Sequence, residues 1–189
     1  MTMSAQGLSP QEQNGLLKLA RRRIARLVGR EAAAPAQGEL PGPEIKRGAF
    51  VTLHKRGRLR GCIGNFISDE PLTALIEDMA VAAASQDPRF PPLSGDELDQ
   101  VDLEISVLSP LKPIEDVSEI QVGTHGIYII SPRGRGVLLP QVATEYGWDR
   151  DTFLDQTCVK AGLRPGCWRD PDTEILIFSA QIFGEKPEG

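Results

Sequence analysis

The apolar residues of this chain change their spacing in a set order, and they do so twice. Residues 50–53 have strand composition, Arg56-Gly57 supplies a turn and residues 58–63 carry the chain back, so 48–64 is expected to be a β-hairpin. Pro71 then opens a helix in which Leu72, Leu75, Ile76, Met79, Ala80 and Ala83 recur at spacings of three and four. After it, Val101, Leu103, Ile105 and Val107 alternate with Asp102, Glu104 and Ser106, the period of a half-buried strand. Further on, residues 127–131 and 137–139 flank a Gly-rich turn, 149–161 has helical character with Gly162 as its stop, and 174–183 reads as a final strand. Hairpin, helix, strand therefore occurs twice. That order predicts an α+β fold with mostly antiparallel sheets and flanking helices. Self-similarity of residues is slight, so internal duplication of structure is a hypothesis for superposition to test.

Ahead of this pattern, Ser9, Pro10 and Glu12 spell a capped helix start, and Leu16, Ala20, Ile24 and Leu27 follow at helical spacing. Arg21, Arg22 and Arg26 fall opposite that stripe and are expected to be solvated. Gly29 ends the helix. Residues 30–47, rich in Ala, Pro, Gly and Glu, are expected to be an irregular connection. A second capping box, Ser94 with Glu97, announces a short helix before the alternating strand.

The chain has 189 residues, enough for a single domain built of one core or two small lobes. A net charge of −5 and a pI near 5.1 argue against a general nucleic-acid or anionic-membrane binder. No apolar run approaches the ~20 residues a membrane-spanning helix needs. The three cysteines, Cys62, Cys158 and Cys167, are odd in number and lack disulfide-framework spacing, and residues 1–13 do not look like a signal peptide. A reducing, cytoplasmic setting is expected.

Candidate chemistry concentrates in Leu59-Arg60-Gly61-Cys62-Ile63-Gly64. Strict alternation puts Arg58, Arg60 and Cys62 on one strand face, with Leu59 and Ile63 on the other, toward the core. Gly61 and Gly64 weaken a strand unless a close approach requires them, so a substrate or another chain segment is expected there. Cys62 is either a nucleophile with Arg60 as its neighbouring cation, or a small buried thiol filling space. His54 and His125 are the sole histidines, which restricts the near-neutral general bases; His125 lies just before a strand, where it serves either catalysis or a loop hydrogen bond. Glu104 and Asp102 share a strand face from which either can orient a histidine or bind a cation, or simply be exposed. Arg56, Arg58 and Arg60 in one hairpin, and Arg133 and Arg135 in the other, can clamp phosphates or simply be solvated. Metal-ligand spacings, a Walker loop, Gly-x-Gly-x-x-Gly and Gly-x-Ser-x-Gly are all missing, so no metal or cofactor is expected.

The hexapeptide, with residues 48–53, Asp87-Pro88-Arg89-Phe90, 104–108, 123–126, Leu138-Leu139-Pro140-Gln141-Val142, Trp148 and Trp168, resembles the AMMECR-type domain family. Bacterial members are called AmmeMemoRadiSam system protein A. The resemblance covers residues 16–185. It implies a single domain of two packed lobes, and association with a Memo-like protein and a radical S-adenosylmethionine enzyme. It brings no established reaction. Two hypotheses stand together. In one, an enzyme or enzyme component uses Cys62 as nucleophile, His125 to exchange protons, Glu104 to orient His125, and Arg60 for an anionic group. In the other, a scaffold subunit presents residues 59–64 to a partner. Arg60, Gly61, Gly64 and Gln141 are the candidate substrate or partner contacts.

Overall fold

The computed structural model describes residues 7–31 and 43–185. In chain order the elements are α1 (Pro10–Leu27), β1 (Ala49–Lys55), β2 (Arg58–Asn65), α2 (Leu72–Ser85), β3 (Val101–Leu108), β4 (Lys112–Ile114), β5 (Gly126–Ser131), β6 (Gly134–Leu138), α3 (Pro140–Tyr146), α4 (Arg150–Lys160), β7 (Glu174–Phe178) and β8 (Ala180–Gly184). The chain divides into two compact units. One runs to Leu108 and resumes at Gln181; the other is Ser109–Ala180. Each holds a four-stranded sheet with helices, the α+β class expected from the pattern.

The first sheet has the order β2-β1-β3-β8, with β1 antiparallel to both β2 and β3. The hairpin closes through Arg56 and Gly57, both at positive φ (53° and 76°), the conformation that matches strand twist in a two-residue loop. Val51, Leu53, Leu103 and Ile105 fill the face that meets α1 and α2. Helix α1 starts with the expected capping box: Ser9 N–H donates to Glu12 Oε2 at 2.8 Å and Glu12 N–H donates to Ser9 Oγ at 3.3 Å. Two expectations for it need correction. Leu27 is 43% exposed because the buried stripe ends at Ala25. Arg21 is a tether: it donates to the carbonyls of Leu98 and Val101 at 2.8 Å each and pairs with Glu185 after β8. The second capping box, Ser94 with Glu97, opens a 3₁₀ turn over Gly95–Gln100. Of the expected irregular connection, residues 30–31 and 43–47 carry no regular structure, and 32–42 lie outside the described residues.

The second sheet has the order β4-β7-β5-β6, all pairs antiparallel, with α4 packed on β5 and β6. Ile127, Ile129, Phe153, Leu154, Ile175 and Ile177 form its core. The expected single strand over 174–183 is two strands. They separate at Ser179, whose N–H donates to Ser109 Oγ (2.9 Å) while its carbonyl accepts from Ser109 N–H (2.8 Å), and β7 and β8 then serve different sheets. The expectation of unpaired cysteines is also corrected. Gly162, at φ 76°, turns the chain back after α4 and brings Cys167 within 5.9 Å (Cα–Cα) of Cys158, and the two form a disulfide.

Candidate functional site

The hexapeptide lies in β2, but its faces are not those of strict alternation. Register shifts between Leu53 and His54: Leu53 stands opposite Gly61, whereas His54 stands opposite Leu59. Arg60 is thus the extra residue of a β-bulge, which re-aims the side chains around it. Leu59 is therefore 40% exposed instead of anchored in the core, and Arg60, not Leu59, is the buried side chain. Ile63 packs against the core as expected.

Both glycines face the chain's own atoms. A Cβ on Gly61 would lie 2.2 Å from the Ala83 carbonyl oxygen of α2, and one on Gly64 would meet the Phe50 ring at 2.3 Å and the Ala49 carbonyl at 2.4 Å. The close approach foreseen at these positions is made by α2 and β1 themselves.

Alternation from Gly61 puts Cys62 on the face opposite α2, together with Thr52 and Glu104. Thr52 stands in register with Cys62 on one side and with Glu104 on the other, so thiol, hydroxyl and carboxylate form one row across three strands. Each is half-buried. The Thr52 hydroxyl donates to Cys62 Sγ at 3.2 Å. Cys62 is the free cysteine of the chain.

Asp87, a residue to which the sequence attached no role of its own, holds this row in place. Its carboxylate is 4% exposed and accepts the Cys62 N–H at 2.9 Å, the Arg89 N–H at 3.1 Å, and both Nε (3.0 Å) and Nη2 (2.7 Å) of the Arg89 guanidinium. Those Arg89 bonds, aided by the Cys62 N–H against the cost of burial, hold the Asp87 carboxyl well below the usual range. Arg89 in turn is raised by its hydrogen bonds and charge pairing with Asp87. The cation linked to Cys62, through the shared Asp87 carboxylate, is thus Arg89. Arg60, the expected neighbour, instead places Nε and Nη2 on the two oxygens of Glu97 at 3.1 and 2.9 Å. Glu97 also takes Lys55 Nζ at 2.8 Å; Arg60 first and then Lys55 lower its carboxyl to about 2. The Phe90 ring stands between the two arginines, 5.9 Å from Arg60 Cζ and 5.5 Å from Arg89 Cζ.

The remaining candidates belong to the second unit. His125, just before β5, accepts the Gln121 N–H on Nδ1 at 3.1 Å, a loop hydrogen bond. Gln141 is exposed in the first turn of α3, where its carbonyl accepts from Thr144 Oγ1 at 2.8 Å. Among the described residues no three His, Cys, Asp or Glu side chains converge as a metal ion would require, and no helix is long and apolar enough to cross a membrane.

The fold and the thiol row define an α+β protein with a free, half-buried cysteine anchored by a buried aspartate. The chain belongs to the AMMECR1 family, whose model matches residues 17–183. A protein of Methanothermobacter thermautotrophicus is 45% identical to it over 94% of this chain and 96% of that relative. One from Thermococcus kodakarensis is 42% identical over 92% and 91%. The crystal structure of an uncharacterized protein from Pyrococcus horikoshii is similar with a TM-score of 0.80 and 38% identity, covering 95% of this chain and 94% of that one.

Proposed function

We propose that the protein is an enzyme component with a small-molecule site centred on Cys62. The thiol is the nucleophile, the Arg89 guanidinium holds negative charge beside it, and Glu104 stands one strand beyond Thr52 as the acceptor of a proton. The observation that carries this reading is the Asp87 anchor: one buried carboxylate fixes both the backbone at Cys62 and the Arg89 guanidinium. Everything that supports it lies in the first unit, so neither His125 nor Gln141 is required. The competing scaffold reading relied on glycines open to a partner, and their Cβ positions are filled from within. Association with a Memo-like protein and a radical S-adenosylmethionine enzyme, implied by the family resemblance, belongs to this reading and is tested by co-purification.

With the other two cysteines bonded to each other, alkylation reports on Cys62 alone. Iodoacetamide labelling at neutral pH is expected to slow about threefold or more in Arg89→Ala and to recover in Arg89→Lys, because cysteine reactivity depends on the cations around the sulfur. Equal rates in wild type and both variants, with native circular dichroism, would sink the nucleophile assignment.

A further inference from the structure

The tip of the β1–β2 hairpin carries a feature that the proposed thiol site does not use. Lys55, Arg56, Arg58, Leu59 and Arg60 line a cavity of about 500 Å³, a volume typical of small-molecule sites. Four of these five residues are cations, in a chain whose net charge is −5. Glu97, the carboxylate that pairs with two of them, is shared between Lys55 and Arg60. Arg56 and Arg58 are exposed and have no ion-pair partner among the described residues. Arg60 is 8% exposed, and with Nε and Nη2 committed to Glu97 its Nη1 is left buried with no hydrogen-bond partner.

We propose that this cavity binds the phosphate group of a small phosphorylated molecule. A buried guanidinium N–H with no acceptor is costly, and an oxyanion that reaches Arg60 Nη1 from the cavity removes that cost. Arg56 and Arg58 then supply the planar, multidentate donors that suit phosphate oxygens better than a lone carboxylate. The bulge at Arg60 is what makes the site: it buries a guanidinium where strict alternation would have left it on the open face, and bulges recur beside sites for that reason. The ligand is small because no aromatic ring lines the cavity to stack a nucleic-acid base. The acidic chain also repels an extended polyanion.

Titration calorimetry of the full chain with pyrophosphate tests this, with sulfate and a single-stranded oligonucleotide as parallel arms. Saturable pyrophosphate binding is expected, weakened about tenfold in Arg56→Ala and in Arg58→Ala, each removing a charge-assisted contact from an exposed and dispensable position. Arg133→Ala, in the other hairpin, leaves it unchanged, and so does Cys62→Ser, which separates this site from the thiol. Absence of binding, wild-type affinity in the Arg56 and Arg58 variants, equal affinity for sulfate, or tighter binding of the oligonucleotide would each overturn the proposal.

Discussion

Two carboxylates, Asp87 and Glu97, set the behaviour of the first unit at the scale of single residues. Asp87 is nearly inaccessible and satisfies four donors, so Asp87→Asn loses the charge that balances Arg89 while keeping the shape. Breaking such a charge-assisted network is expected to cost about 2–3 kcal/mol, read as a lower denaturation midpoint in urea. It should also quicken exchange of the Cys62 amide. Glu97 couples the unit to pH. Its carboxyl lies near 2 in the folded chain against 4.5 ordinarily, so the stabilisation it provides is complete above pH 4.5 and is lost as pH falls toward 2. Water reaches this cluster, and the contribution is about 1–2 kcal/mol after screening. In Glu97→Gln, stability measured between pH 5 and pH 2 should therefore fall less steeply than in wild type, and equal slopes would show that Glu97 does not carry the acid sensitivity.

At the scale of elements, the glycines of β2 and β6 decide how closely a helix approaches a hairpin. Gly61 admits the Ala83 carbonyl of α2, and Gly134 admits the Ala161 carbonyl after α4, each at 2.2 Å from where a Cβ would be. Alanine at either position collides with backbone that no rotamer change can move, and should cost about 2–3 kcal/mol in chemical denaturation. Gly15 within α1 is the contrast: no atom lies within 4 Å of its Cβ position, so Gly15→Ala is expected to stabilise by about 0.5–1 kcal/mol through helix propensity. These cases mark what a sequence can reveal. The elements with a clear period, α1, α2, β1 and β3, were legible because one face of each is apolar at a spacing that permits only one geometry. The bulge at Arg60 was not, since period-two reasoning has no means of seeing an inserted residue, and it reversed the expected places of Leu59 and Arg60. Nor was the Arg89 assignment legible: Asp87 and Arg89 stood out only as part of a family motif until the fold joined them to the Cys62 backbone. The break at Ser179 was hidden for a third reason, because 174–178 and 180–184 are both strand-like and only their different sheets separate them.

Across the whole molecule, the two sheets have the same plan. Reading each from the return strand of its hairpin gives β2-β1-β3-β8 in the first and β6-β5-β7-β4 in the second, so hairpin, helix-following strand and short outer strand correspond position by position. This agreement in topology supports the duplication hypothesis, and superposing the eight strands pair by pair completes the test. The units differ in their crosslinking. The Cys158–Cys167 disulfide lies wholly in the second, and a loop that short contributes about 2–3 kcal/mol by restricting the unfolded chain. Dithiothreitol should therefore lower hydrogen-exchange protection in α4 and β6 more than in α2 and β1; an equal fall in both would mean that they open as one cooperative body. The outer strands differ in another respect. β4 precedes the rest of its sheet, whereas β8, from Gln181 on, is drawn from residues that follow the second unit. During synthesis the second unit can thus close from contiguous chain while β3 still exposes the edge that β8 will occupy. Until the ribosome has released residues 180–185, the first sheet is an open template for another chain, and the timing of translation rather than the stability of the finished fold governs its exposure to aggregation.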